Sequence, residues 1–285
     1  MASIIAPKLF QLRPALVRLP RLPDLLTTAN LCCGVGSILL ASQGQLTIAC
    51  GLIFLAAVFD VFDGLAARAL GGGTPLGAQL DSLADMVSFG VAPAAAVFFA
   101  WELLWTDQSR VFVVDWPMSI GAKGDPNAPG RLLLYPAIAA LVLVIGSAWR
   151  LAKFNIDARQ SSGFLGLPTP SNGLFWASLP LIFGHVAVHK GPGHEMIRVL
   201  MFNGFSNPIV VIAAALVLTV LMLSELPLPS LKFKHKGWKG NEVIFILIGM
   251  GAILVLLYGI LAVPLILIIY LLSPLWGNLF PKQPS

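Results

Sequence analysis

Asp60 and Asp63 stand in the segment Val58-Phe59-Asp60-Val61-Phe62-Asp63-Gly64-Leu65-Ala66-Ala67-Arg68, and Asp81 and Asp85 stand in Gly77-Ala78-Gln79-Leu80-Asp81-Ser82-Leu83-Ala84-Asp85-Met86-Val87-Ser88. At about 100° per residue, an α-helix places Asp60, Asp63, Gly64, Ala67 and Arg68 on one face. Gly77, Asp81, Asp85 and Ser88 share one face of the next helix by the same spacing. The link at 69–76 is short and carries Gly71-Gly72-Gly73, so the two helices are expected to be antiparallel neighbours. Four carboxylates gathered in a low dielectric repel one another unless they take up protons or cations. All-oxygen ligands suit a hard divalent ion, Mg²⁺ or Mn²⁺. Gly64 and Gly77 permit close backbone approach and Ala67 keeps the face low. Arg68 offers a planar fork to phosphate oxygens. Carboxylates, a divalent cation and an arginine together form an apparatus for phosphoryl-type transfer.

The elements that must position these residues are membrane helices. The chain is 57% hydrophobic and 11% charged over 285 residues, where a soluble domain carries about 25% charged residues. Ionisable groups at membrane depth are costly and mark functional positions. A span needs about 20 mainly apolar residues. The candidates are Leu25–Ala41, Leu46–Arg68, Gly77–Trp101, Leu132–Trp149, Ser171–Val188, Pro208–Ser224, Val243–Tyr258 and Leu261–Phe280. The first two are separated by the polar turn Ser42-Gln43-Gly44-Gln45. The last two share one uncharged run with a tight turn near Gly259. The expected fold is an all-α polytopic bundle of about eight spans, with six spans plus a membrane hairpin as the fallback. It forms a single integral membrane domain over 1–285, with a six-helix core at 25–224 and a basic loop and helix pair at 225–285.

Charge bias orients the bundle. With both termini in the cytoplasm, the inside receives Lys8, Arg13, Arg18, Arg21, Arg68, Arg150, Lys153, Arg159 and the lysines from Lys232 onward. The outside receives only Arg110, Lys123, Arg131, Lys190 and Arg198. This puts the acidic pair on the cytoplasmic side of the cell membrane. The net charge of +5 follows from topology, and no nucleic acid partner is needed. Cys32, Cys33 and Cys50 fit neither a zinc site nor a disulfide framework and read as packing residues. The first twenty residues lack an apolar core followed by a cleavage site, so a removable signal peptide is not expected.

Written as a pattern, Asp60-x2-Asp63-Gly64-x2-Ala67-Arg68-x8-Gly77-x3-Asp81-x3-Asp85 resembles the complete signature of the CDP-alcohol phosphatidyltransferase family. The stretches Asp85-Met-Val-Ser88-Phe89-Gly90-Val-Ala-Pro93, Arg150-Leu-Ala-Lys153-Phe154-Asn155 and Phe164-Leu-Gly166-Leu-Pro168-Thr-Pro170 are similar to the family's serine-using, phosphatidylserine-forming branch. The chain departs from that branch at Lys153, where arginine is usual, and at Ser171-Asn172-Gly173, where smaller residues are. The resemblance implies a membrane enzyme that combines CDP-diacylglycerol with L-serine to give phosphatidylserine and CMP. It implies that Asp60, Asp63 and Asp81 bind metal and that Asp85 reaches a second metal and acts as general base. Thr28-Ala29-Asn30 looks like the family's nucleotide-contacting stretch, so Asn30, Gly64, Arg68 and Thr74 would hold the CMP part of CDP-diacylglycerol. Family members are often homodimers, which extends the implication to this chain.

The physical case for a base stands beside the resemblance. A serine hydroxyl is a poor nucleophile at neutral pH, so a positioned group must take its proton during attack. Serine's carboxylate calls for a cation, and Arg150 lies nearest the membrane among Arg150, Lys153 and Arg159, which otherwise read as positive-inside anchors. Ser88 could line the same pocket. A phosphorylated acceptor, such as glycerol-3-phosphate or an inositol phosphate, would call for a larger cationic cluster. An acidic-cluster transporter is the rival from a different class, but it gives no reason for the glycines and the arginine. His185, His189, His194 and Glu195 read as an interfacial polar cluster rather than a zinc site. The loop Lys232–Lys239 reads as an anchor to anionic membrane lipids. Trp101, Trp149 and Trp276 lie near span ends and read as interfacial belt residues.

Overall fold

The computed structural model describes residues 20–106, 134–156, 164–184, 193–228 and 242–277. Helix α1, Leu22–Ser42, starts where the Arg21 backbone N–H donates to the Asp24 carboxylate at 2.9 Å. Pro23 occupies its first turn, where a missing N–H costs nothing. Gly44 adopts φ +78°, and the polar turn returns the chain into α2, Leu46–Ala69. Small side chains line the α1–α2 side of the bundle: Ala41, Ala49, Cys50 and Ala56 are fully buried, with Ile53 the one large residue among them. Close backbone approach of this kind is how helices associate where lipid offers no hydrophobic drive. The next turn uses the left-handed region at Gly71 and Gly72, φ +87° and +110°. The Thr74 hydroxyl then accepts from the Gly77 N–H at 2.9 Å and caps α3, Pro75–Asp85.

Helix α3 does not stop at Asp85. It widens into a π segment, Met86–Val91, and continues as α4, Ala92–Thr106. Pro93 supplies a sequence-level cause: it has no N–H to return to the carbonyl four residues back, Phe89. Glycines let three neighbours close on this wide turn. Gly34 of α1 lies against Ser88, and Gly90 lies against Ser147 of α5, Leu134–Ile156. Gly173 of α6, Thr169–Phe183, faces the Phe89 backbone, and a Cβ there would sit 2.8 Å from its carbonyl oxygen. Gly173→Ala is therefore expected to destabilise the fold by about 1–3 kcal/mol, the usual cost of overpacking. The check is a lowered thermal unfolding midpoint in detergent.

Helix α7, His194–Phe205, meets α8, Pro208–Leu223, at 94°. The Asn207 side chain caps α8 by accepting from the Ile209 N–H at 2.9 Å. Trp101 is fully buried and its indole donates to the Phe205 carbonyl at 2.6 Å, so it is a core residue and not the belt residue expected. Trp149 is 69% exposed, and the side chain of Trp276 lies outside those described. His194 is buried, and Glu195 pairs with Arg198 at 3.0 Å. His185, His189, Arg159 and the Lys232–Lys239 loop lie outside the described residues.

The C-terminal end of α8 is knotted to the α5–α6 link. Phe164–Leu165 (β1) pairs antiparallel with Pro227–Leu228 (β2). The Gly166 and Leu167 N–H groups donate to Leu226 and Leu221 carbonyls at 2.9 and 3.0 Å. Lys153 donates to the Leu223 carbonyl at 3.2 Å, a favourable cation at a helix C-terminus. Gly166 has φ +75°, and a Cβ there would meet the carbonyl oxygens of Ser224, Met222 and Leu221 at 2.5–3.0 Å.

Beyond the knot, α9, Glu242–Tyr258, and α10, Ala262–Gly277, are joined by a 3₁₀ turn at Gly259–Leu261. Gly259 has φ +56°. Ile244–Pro274 is apolar throughout and 31 residues long; as one straight helix it would run about 46 Å, well past a hydrocarbon core of about 30 Å. A Cβ added at Gly251 would lie 3.7 Å from Ile266, so α9 and α10 lie side by side about the expected turn. Among the described residues five stretches are long and apolar enough to cross a membrane, or six if the bent α7–α8 pair counts as one span. Length and composition therefore do not yield the expected count of eight; α6, α8, α9 and α10 are each shorter than 18 residues. The chain is an all-α integral membrane protein by its apolar helices.

Candidate active site

The 70–74 turn leads α2 into α3; the two pack mainly against α1 rather than directly on one another as the short glycine link suggested, yet their acidic faces converge. Asp60, Asp63 and Asp81 each present one carboxylate oxygen, and the three oxygens lie within 4.8 Å of one another. Oxygens on opposite sides of a small octahedral cation are about 4.2 Å apart, at bonds of about 2.1 Å. The three aspartates thus fit a hard divalent ion with side-chain adjustment alone. Asp85, one turn further along α3, stands outside that group. It accepts from the Asn30 amide at 3.4 Å.

Helix α1 lies against both acidic helices and contributes a polar residue to each. Thr27 is buried and its hydroxyl lies 2.6 Å from an Asp63 carboxylate oxygen. A hydrogen bond to a charged acceptor contributes about 1.5–3 kcal/mol. Asn30 is fully buried beside Asp85, and its own side-chain oxygen has no partner among the described residues. One turn before Thr27, the Asp24 carboxylate packs at the N-terminus of α3, where a Cβ on Gly77 would lie 2.9 Å from its oxygen. Gly77 is therefore small because α1 passes there. Gly64 lies under Arg68, whose guanidinium folds back to 3.5 Å from where a Cβ would be. Arg68 itself is exposed at the end of α2. Thr74 uses its hydroxyl oxygen to cap α3 and retains a proton to donate.

The two acceptor candidates are placed differently from the carboxylates. Ser88 does face the Asp85 side, but it is fully buried and its hydroxyl donates to the Asn30 carbonyl at 3.0 Å. It braces α1 under Asn30 rather than lining an open pocket. Arg150 is 3% exposed, and its guanidinium donates to the Leu167 and Leu165 carbonyls at 3.3 and 3.0 Å and stacks over Phe154. It holds the α5–α6 link. Asn155, within the stretch that carried the resemblance, accepts from Ser82 of α3 at 3.0 Å and ties the end of α5 to the acidic helix.

Thr27, the π segment and the Ser82–Asn155 contact were not singled out from sequence. Thr27 had a signal: with Asn30, Gly34, Ser37 and Ala41 it forms a stripe of polar and small residues at alternating spacings of three and four, all buried on α1.

Residues 21–273 match the family model described as CDP-alcohol phosphatidyltransferase. The chain is 29% identical over 235 residues to a CDP-diacylglycerol–serine O-phosphatidyltransferase of Helicobacter pylori strain J99, covering 82% of this chain and 81% of that one. It is 32% identical over 223 residues to the protein of the same name from Mycobacterium leprae, covering 74% and 73%. To an archaetidylserine synthase of Methanothermobacter thermautotrophicus it is 35% identical over 151 residues, about half of each chain.

Proposed function

The chain belongs to the CDP-alcohol phosphatidyltransferase family, and on that premise we propose that it transfers a phosphatidyl group from CDP-diacylglycerol to L-serine, giving phosphatidylserine and CMP. The observation that carries this reading is the convergence of Asp60, Asp63 and Asp81, with Asp85 set apart on the same side beside Asn30. The names of the relatives support serine as acceptor.

Asp60, Asp63 and Asp81 would hold Mg²⁺ or Mn²⁺, with Asp85 in reach of a second ion. A bound divalent cation supplies charge neutralisation of the diphosphate and of the departing CMP. The remaining chemistry falls to the protein's own groups. The serine hydroxyl oxygen bonds to the phosphorus that carries diacylglycerol, the bond from that phosphorus to the CMP oxygen breaks, and Asp85 takes the hydroxyl proton. Arg68 and the Thr74 hydroxyl, at the exposed ends of the acidic pair, bind phosphate oxygens of the CMP part, and Gly64 leaves that space open. Asn30 would contact the nucleotide from α1, and its donor to Asp85 fixes the base. For the acceptor, Arg150 and Ser88 act by holding the α5–α6 link and α1 in place around the pocket, consistent with their bonds to backbone carbonyls. Residues 25–224 form the catalytic core in this reading, the site opens to the cytoplasm, both termini lie on that side, and two copies associate as a homodimer.

The test is purified protein supplied with CDP-diacylglycerol, Mg²⁺ or Mn²⁺ and a panel of alcohols. CMP release with serine alone is expected. Release with glycerol-3-phosphate or an inositol phosphate instead would change the acceptor within the family. No release with any alcohol would overturn the enzymatic reading in favour of transport by the acidic cluster.

A further inference from the structure

We propose that Thr27 is a positioning residue for Asp63, the group that sets the orientation of this carboxylate within the Asp60–Asp63–Asp81 cluster. The proposal rests on the metal-binding reading of that cluster given above. The Thr27 oxygen lies 3.0 Å from the Pro23 carbonyl and 2.6 Å from the Asp63 carboxylate oxygen. A helical threonine often bonds back to the carbonyl four residues earlier, which would make Thr27 a local feature of α1. A hydroxyl has one proton, however, and the shorter contact to a charged acceptor is the stronger of the two. The proton therefore goes to Asp63.

Burial makes this bond consequential. Thr27 is 4% exposed and Asp63 6%, so water is in no position to replace the hydroxyl. The partners come from α1 and α2, 36 residues apart in sequence. Asp63 is the least solvent-exposed member of the cluster, Asp60 and Asp81 being partly exposed. With one oxygen pinned by Thr27, rotation about the Cβ–Cγ bond is blocked, and the position of the carboxylate relative to Asp60 and Asp81 is set before any ion arrives. A metal ligand oriented in this way binds its ion without paying a reorganisation cost on binding, and loss of such an outer partner typically lowers metal affinity by about 10–100-fold.

Thr27→Val removes the donor and keeps the volume; Thr27→Ser keeps the donor. Binding of Mn²⁺ to detergent-purified protein, followed through the electron paramagnetic resonance signal of free Mn²⁺, is expected to weaken by about 10–100-fold in T27V and to stay close to wild type in T27S. In turnover, T27V is expected to need more Mn²⁺ while reaching a similar rate at saturation, a split that a general loss of folded protein would not produce. Should T27V elute as misfolded protein, T27A, with no added bulk, carries the same expectation. Wild-type Mn²⁺ affinity in the folded hydroxyl-lacking variant overturns the proposal. Asp63→Asn separates the two levels: if D63N also binds Mn²⁺ like wild type, the metal reading of the cluster fails; if only D63N weakens, Thr27 alone is refuted.

Discussion

Asp85→Asn is expected to lower phosphatidyl transfer by about 10²–10⁴-fold, the contribution of a positioned general base. The substitution keeps the shape of the side chain and an oxygen for the Asn30 amide to meet. It removes the ability to take up the serine proton and the negative charge that Asp85 would offer to a second ion. Because Asp85 stands outside the group formed by Asp60, Asp63 and Asp81, binding of CDP-diacylglycerol is expected to persist. Calorimetric titration with CDP-diacylglycerol, set beside CMP release under identical conditions, checks both halves. A D85N protein that turns over at the wild-type rate would remove Asp85 as the base. One that neither binds nor turns over would make its contact with the second ion, rather than proton transfer, its main role.

Chelation is expected to produce a loss of comparable size. Excess EDTA should take transfer to background, and added Mg²⁺ or Mn²⁺ should restore it. Without a cation the donor's diphosphate would have to approach four carboxylates. Asp81→Asn is expected to reproduce part of that loss, about 10²–10³-fold, as for removal of one group that stabilises charge in the transition state. Raising the metal concentration should recover only some of it, because one of the three clustered oxygen donors has become a neutral amide. Full activity in the presence of chelator would exclude the metal reading.

Much of the site was legible in the sequence because helical spacing is local information. Asp60, Asp63, Asp81 and Asp85 needed only the helical repeat and a short glycine turn to be brought together. The Gln43–Gly44 turn and the reversal near Gly259 followed from equally local signals. What escaped depends on partners distant in sequence. The α1 stripe sets Thr27 apart from Thr28 as a buried position, but its role beside Asp63 shows only in the contact with α2. Arg150 reads as a cation available to a substrate carboxylate, and nothing local shows that the Leu165 and Leu167 carbonyls accept from it as well. Pro93 was visible, but a π segment requires the glycine-lined neighbours that close on it. The sharp bend before α8 was missed because the span pattern starts at Pro208, and α7 mixes Glu195 and Arg198 with apolar residues.

The knot at Gly166 also bears on the order in which the protein can mature. Translation proceeds from the N-terminus, and Asn30, Asp60, Asp63, Asp81 and Asp85 are all made long before Pro227–Leu228, the partner of Phe164–Leu165. The link that leads into α6 therefore stays untied until α8 and its trailing residues have been synthesised. The Leu165 and Leu167 carbonyls that Arg150 holds are made much earlier, but the link that carries them is fastened to the end of α8 only then. A ribosome halted between residues 170 and 220 would have made the four acidic residues of α2 and α3 while the link into α6 still lacked its fastening to the end of α8. That fastening is a four-residue strand pair, separate from the helices that carry the acidic residues.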